Sequence, residues 1–284
     1  MISEKFILFL ITINSSMKIN YHTHTTYSDG KNSMEEYVKV AIDNNFSEIG
    51  FSDHFILLPS GSFPPYSMKL NDLTKYINEA RSLRKKYRSK IKIKIGIEVD
   101  FFPENCKDVA KILSKYPFDY TIIAVHYVNS FPFDTLDAID KWKNFDNNEI
   151  IRIYKSYYEL VMESINIGLF DIVAHIDLIK KFGFIPNYDF RDYEKKLIDL
   201  IAQKDMVVEI NSSGLRHPIK EIYPSERIVR IIAEKKIPVI LSTDAHEVKH
   251  LIEGYEKVLD FARKFQLKKI ATFNKRKRNI HELV

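Results

Sequence analysis

Seven short β-forming runs along the chain share one property: each passes directly into a histidine, a carboxylate or a small polar cluster. The runs are KINYH (18–22), SEIGF (47–51), IKIKIGIE (91–98), YTIIAVH (120–126), DIVAH (171–175), MVVEIN (206–211) and PVILSTD (238–244). Most are continuous in apolar residues rather than alternating, which is how parallel strands buried on both faces read. Helical spacing fills the gaps at 33–45, 72–90, 104–115, 148–167, 189–204, 224–236 and 247–266. Ser33 and Glu36 form a capping box, Asn71 or Asp72 suits a helix cap, and Pro224 suits a first turn. Residues 127–147, with Pro132 and Trp142, read as a long loop or a short helical insertion. Strand and helix alternating seven times imply an α/β fold with a parallel sheet. Seven units suggest a closed barrel, with a doubly wound open sheet as the alternative.

The carboxyl ends of parallel barrel strands form one face, where active sites sit. On that reading His22, His24 and Asp29 follow the first strand, Asp53 and His54 the second, and Glu98 and Asp100 the third. His126 ends the fourth, His175 and Asp177 the fifth, Asn211, Ser212 and Ser213 the sixth, and Asp244 and His246 the seventh. Six of the nine histidines therefore converge on one mouth. In an extended His-x-His the two imidazoles point to the same side, and Asp244 and His246 have the same spacing. A lone histidine or an isolated His-x-His is weak evidence, but the joint pattern is specific. Neutral imidazoles and carboxylates are ligands for zinc, manganese or iron, and so many of them suit two or three ions with Glu98 or Asp244 as a bridge. His217, His250 and His281 fall outside the pattern and read as ordinary residues.

Composition sets the limits. The chain has 284 residues, 45% of them hydrophobic, which excludes a disordered chain, and its one cysteine, Cys106, excludes a disulfide scaffold. A single, structural cysteine suits a reducing compartment, hence a cytoplasmic protein. The net charge of +5 is uneven: residues 261–280 hold eight basic and no acidic residues, which leaves 1–260 with 35 basic and 37 acidic side chains. The basic stretch reads as a solvated helix and terminus, so no nucleic-acid partner is expected. Residues 6–13 (FILFLITI) are too few to span a bilayer, so no membrane partner is expected either. Residues 1–16 read as an extension ahead of a start at Met17, with an extra strand or a signal as alternatives; residues 17–284 read as a single barrel domain with a basic C-terminal tail. No phosphate-cradling glycine loop is present.

The segments HTHTTYSDG (22–30), FSDH (51–54), GIEVDF (96–101), AVHYV (124–128), AHIDLIKKFG (174–183), EINSSGLRHP (209–218) and STDAH (242–246) resemble, in order, the PHP (polymerase and histidinol phosphatase) family, over residues 17 to about 265. AHIDLIKKFG and INSSGLR are most similar to its histidinol-phosphate phosphatase branch. The resemblance implies a distorted (β/α)7 barrel and a trinuclear centre. One ion would be held by His22, His24, Glu98 and Asp244, a second by Glu98, His126 and His175, and a third by Asp29, His54 and His246. It implies hydrolysis of L-histidinol phosphate to L-histidinol and phosphate by a metal-bridging hydroxide. Arg216, whose guanidinium matches two phosphate oxygens, is the foremost phosphate partner, followed by Lys181, Lys180 and Ser213. Asp29, His246 and Arg216 are the candidate catalytic residues, and Asp53 and Asp177 would orient neighbouring histidines. The family often has an arginine near Lys180 and Lys181, and commonly a further basic residue at the place of His217.

Three other readings compete. A PHP phosphodiesterase, nuclease or nucleotide phosphatase would need a basic groove, which the near-neutral body does not supply. A metal-dependent amidohydrolase commonly bridges its metals with a lysine where this chain has His126. A non-catalytic metal-binding module would be expected to have lost ligands, and every expected position is filled.

Overall fold

A computed structural model describes residues 17–283. The apolar run at 6–13, with the choice among extension, strand and signal, lies outside the described residues. The strands are β1 (Lys18–Asn20), β2 (Phe46–Phe51), β3 (His54–Phe55), β4 (Lys92–Ile95), β5 (Glu98–Asp100), β6 (Ile122–Ala124), β7 (Tyr127–Val128), β8 (Phe131–Pro132), β9 (Ile172–Val173), β10 (Val207–Asn211), β11 (Val239–Ser242), β12 (Lys269–Asn274) and β13 (Lys277–Glu282). All seven expected runs form strands, and the fold is the expected α/β class with mostly parallel pairing.

Two sheets carry eleven of these strands, and β7 pairs only with β8. One orders β1-β2-β4, and the other orders β13-β12-β11-β10-β9-β6-β5-β3. The run at 91–98 breaks into β4 and β5, and the second run likewise continues from β2 into β3. The pairing persists across both breaks: Glu48 faces Lys92 and His54 faces Glu98, and 92 − 48 and 98 − 54 both give 44. Backbone N–H groups of Gly96 and Glu98 donate to the carbonyls of Phe51 and Asp53 through the gap. On the far side, a parallel bridge between Thr23 and Ala245 ties the end of β1 to the end of β11. The seven runs thus follow one another in chain order and meet again, although their ladder is divided between two sheets.

Tyr120 explains where the division falls. It is fully buried, its ring stacks on Tyr21 at 4.9 Å between centroids, and its hydroxyl donates to the carbonyls of Tyr21 (2.5 Å) and Phe51 (3.1 Å). A Cβ at Gly50 or Gly96 would overlap this phenol, so glycine at both positions lets the ring lie against the backbone.

The helices are α1 (Met34–Asp43), α2 (Leu73–Lys86), α3 (Cys106–Leu113), α4 (Ala138–Asn144), α5 (Asn147–Ile167), α6 (Arg191–Gln203), α7 (Glu226–Glu234) and α8 (Tyr255–Lys264). The capping box of Ser33 and Glu36 opens α1 as expected, and a second one, Asp146 with Glu149, opens α5. The expected helix at 247–266 is shorter: a single 3-10 turn covers Val248–Leu251, and Gly254, at φ +86°, redirects the chain into α8. The 127–147 insertion is an antiparallel β7–β8 hairpin followed by α4. No helix among the described residues is long and apolar enough to cross a membrane.

The basic C-terminal stretch differs from the expected solvated terminus. Beyond α8 it forms the β12–β13 hairpin, with β12 joined to β11 through Val239 and Ile270. Ile270, Ala271, Thr272 and Phe273 are buried, and charge flanking these four concealed a strand. Its arginines are also spoken for: Arg276 pairs with Asp171 at 2.5 Å and Arg278 with Asp205 at 2.6 Å.

Gly96→Ala should lower stability by about 1–3 kcal/mol, because the added methyl must displace the Tyr120 ring in a packed interior. Urea unfolding of the two proteins measures the difference, and an unchanged midpoint would count against the wedge.

Candidate metal centre

Glu98 begins β5 with its side chain 1% exposed, and five imidazoles surround its carboxylate. His54 Nδ1 lies at 2.6 Å, His175 Nε2 at 3.1 Å, His22 Nε2 at 3.3 Å, His24 Nε2 at 3.6 Å and His126 Nε2 at 3.9 Å. Each arrives by a simple backbone route. His54 is the direct register partner of Glu98 between β3 and β5. His22 and His24 follow β1 on either side of the bridge residue Thr23, and both rings reach Glu98, 5.0 Å apart. The Thr23–Ala245 bridge then lays His246 against His24, with ring centroids at 4.2 Å.

The two aspartates complete the group. Asp244 adopts a positive φ of 48°, a conformation aspartate tolerates better than most residues, and its Oδ1 lies 3.1 Å from His24 Nε2 and 3.7 Å from His22 Nε2. Asp29 Oδ1 is 3.4 Å from His246 Nε2 and 3.9 Å from His54 Nε2. All nine residues named from the sequence as metal candidates are therefore brought together. Potential donor atoms gather within 4.8 Å in overlapping sets, among them His24, Asp29, His54 and His246, then His22, His24 and Asp244, then His54, Glu98 and His126.

Behind these side chains lies an outer layer of two carboxylates: Asp100, named from the sequence as a strand-end residue without this role, and Glu209, which the sequence reading missed. Glu209, in the middle of β10 and fully buried, accepts from His22 Nδ1 (2.6 Å), the backbone N–H of His175 (2.9 Å) and Ser242 Oγ (2.6 Å). Asp100 binds His126 Nδ1 at 2.6 Å. Both contacts occupy Nδ1 and leave Nε2 turned toward Glu98. A carboxylate inside the apolar run VVEI was the available signal, since a buried glutamate must be paired. Asp53 and Asp177, expected in this role, touch no imidazole. Asp53 instead accepts from the backbone and hydroxyl groups of Thr25 and Ser28 and so braces the turn that carries Asp29. Asp177 accepts from the Ser225 N–H and pairs with Lys180 at 2.9 Å. Both lie beside histidines in sequence while their side chains turn to other loops.

Electrostatically the group is a block of interlocked charges. Burial opposes ionisation of Glu98 and Asp244, yet the imidazoles outweigh it and hold both carboxyls well below the usual range. Burial likewise opposes charge on His54 and His126, but Glu98 raises His54 to about 9 and Asp100 raises His126 to about 10. His24 goes the other way, to about 3, through burial and the neighbouring His246 and His54. Several of these buried atoms, Nε2 of His22, both ring nitrogens of His24 and Oε2 of Glu98, make no well-aligned hydrogen bond in the protein, although ring nitrogens and carboxylate oxygens crowd together there. Unpaired buried nitrogen and oxygen donors are costly, and a cation satisfies them together. The donor set fits divalent ions of the zinc, manganese or iron type.

A cavity of about 360 Å³ opens above these residues. Arg216 lines it. One terminal nitrogen donates to the carbonyls of Thr243 and Asp244, each at 2.8 Å, while Nη1 is buried without a partner. Ser213 Oγ, also buried and unpartnered, lines the same space. Lys181 reaches the cavity and pairs with Asp134 at 3.1 Å, whereas Lys180 is bound to Asp177 and Glu221 and faces a neighbouring cleft. Adjacent residues in a 3-10 turn point apart, which separates two lysines that sequence alone treated as equivalent. His217 and His250, read as ordinary, both line the cavity. Burial and nearby cations, Lys181 for one and Arg216 for the other, lower them to about 3 and about 4, so both stay neutral at pH 7.

Comparison with known proteins finds matches along most of the chain. The PHP domain family matches residues 20–213. A "probable histidinol-phosphatase" of Deinococcus radiodurans is 32% identical over 80% of this chain and 85% of its own length. The histidinol-phosphatase of Bacillus subtilis is 28% identical over 84% of this chain and 97% of its own length. In three dimensions the chain is similar to the histidinol phosphate phosphatase of Lactococcus lactis, crystallised with zinc, L-histidinol and phosphate. The TM-score is 0.74 at 22% identity, over 92% of this chain and 98% of that one.

Glu209→Gln should weaken zinc binding by about 10- to 100-fold, the usual effect of removing a partner behind a ligating histidine. Competition against a chromophoric chelator measures this; wild-type affinity in the variant would remove Glu209 from the site.

Proposed function

Because the chain belongs to the PHP domain family, we propose that it is a metal-dependent phosphomonoesterase that hydrolyses L-histidinol phosphate to L-histidinol and phosphate. The relatives named histidinol-phosphatase support the substrate. The observation that carries the chemistry is the Glu98 cluster beneath a cavity that also holds an unpartnered Arg216 nitrogen. The proposed ligands are His22, His24, Asp29, His54, Glu98, His126, His175, Asp244 and His246, for two or three divalent ions. Such ions, when bound, neutralise phosphoryl oxygens as Lewis acids and lower the pKa of water.

The chain's own residues then have distinct tasks. Arg216 is fixed by two carbonyls on the same strand end as Asp244, so its free donor is held in place before substrate arrives. A guanidinium so placed matches phosphate oxygens and gains strength in a site shielded from water. Ser213 Oγ and Lys181 add donors on the same wall, and Lys180 does not take part. Asp29 and His246, paired at the mouth, are the proposed catalytic residues nearest the solvent side. Glu209 and Asp100 hold His22 and His126 with Nε2 facing inward. The protein is read as a cytoplasmic, single PHP-type unit over residues 17–284, with residues 1–16 as an extension.

Phosphate release should be faster from L-histidinol phosphate than from a bis-phosphodiester or a nucleoside 3′,5′-bisphosphate. A preference for either of the latter would overturn the substrate. Chelation should abolish turnover, and added zinc, manganese or iron should restore it. Arg216→Ala should reduce kcat/KM about 100- to 1,000-fold, the typical loss of one oriented donor. Undiminished turnover after His22→Ala would defeat the metal mechanism.

A further inference from the structure

The cavity above Glu98 contains one carboxylate that is not among the proposed ligands. Asp134 sits on the insertion between β8 and α4, and the other acidic groups lining the cavity are Asp29 and Asp244. Its side chain is 17% exposed and its Oδ2 pairs with Lys181, itself 16% exposed. Burial would raise the Asp134 carboxyl, but Lys181 and His126 outweigh it, so Asp134 is a standing negative charge.

Its position is well determined. The preceding residue, Phe133, is buried with its ring edge-on to Tyr157. The Phe133 N–H donates to the His126 carbonyl at 3.2 Å, and its own carbonyl accepts from Trp142 Nε1 at 2.7 Å. The loop is thus clamped to the segment that follows β6 on one side and to α4 on the other. Tyr66, which lines the same wall, is hydrogen bonded to Tyr127 on β7.

L-histidinol phosphate carries an ammonium group on the carbon next to its phosphoester carbon, so its two opposite charges lie close together. Lys181 and Asp134 present the complementary pair on the cavity wall. We infer that Asp134 is a specificity residue that receives the substrate's ammonium group while Lys181 and Arg216 take the phosphate. The ion pair uses Oδ2 and leaves Oδ1 as the acceptor for an ammonium. Phosphomonoesters without an adjacent amine leave Asp134 paired only with Lys181 and gain nothing from it. This assignment rests on the phosphatase reading above and adds the feature that selects an amino-alcohol phosphate.

The test compares L-histidinol phosphate with 3-(imidazol-4-yl)propyl phosphate, which differs only in lacking the amine, on the metal-loaded wild type and on Asp134→Asn. The wild type should prefer the amine by about 10- to 100-fold in kcat/KM, the worth of a charge-assisted hydrogen bond in a shielded site. Asp134→Asn should bring that ratio close to one, chiefly through KM, while hydrolysis of the propyl phosphate stays within about threefold of wild type. Asp134→Glu should recover part of the preference. An unchanged ratio in Asp134→Asn, or equal losses on both compounds, overturns the assignment. A wild type that hydrolyses neither compound overturns the phosphatase reading itself, and this inference with it.

Discussion

The burial of one carboxylate sets the terms for the whole structure. Glu98 is almost wholly removed from solvent and has five imidazoles around it. An isolated ionised carboxylate is expensive in such a place, and so is a buried ring nitrogen with no well-aligned hydrogen bond. The arrangement is economical only when cations complete it. Every strand that contributes a ligand must therefore end at the same height and on the same face, which neighbouring parallel strands provide.

The rest of the fold fixes that geometry at a distance. Glu209 and Asp100 determine which nitrogen of His22 and His126 looks inward. The Thr23–Ala245 bridge brings the first and last strand ends together, and with them the His24–His246 stack. Tyr120 fills the interior below, where Gly50 and Gly96 leave room, and its hydroxyl ties the fourth run to the ends of the first and second. The site rests on this packing rather than on loops alone, although the cavity walls come from loops: the Arg216 turn on one side and the Asp134 insertion on another. Ligand geometry is in this way held by rigid elements, while recognition of the substrate is left to segments that tolerate change.

The strand ends were readable from sequence because two simple rules meet there. Continuous Val/Ile runs mark buried parallel strands, and the polar residue after each run marks the catalytic face. His22, His24 and Glu98 follow from these rules with no structure at all. What escaped depends on side-chain direction across long sequence separations. Glu209 sits within a strand rather than at its end, and its partner His22 is 187 residues away. Asp53 and Asp177 lie one and two residues from a histidine in sequence, yet a turn and a helix start claim them. His217 and His250 reach the cavity from turns whose course no periodicity encodes. The C-terminal hairpin was hidden for a different reason: its buried face is four residues long, and the charge on both sides dominates any window average.

Zinc titration of the metal-stripped protein by calorimetry, in the wild type and in Glu98→Gln, addresses the central claim most directly. If Glu98 bridges ions within a shared cluster, the wild type takes up at least two per chain and Glu98→Gln loses at least one with its folding intact. Equal stoichiometry and affinity in the two proteins would contradict the bridging role of Glu98.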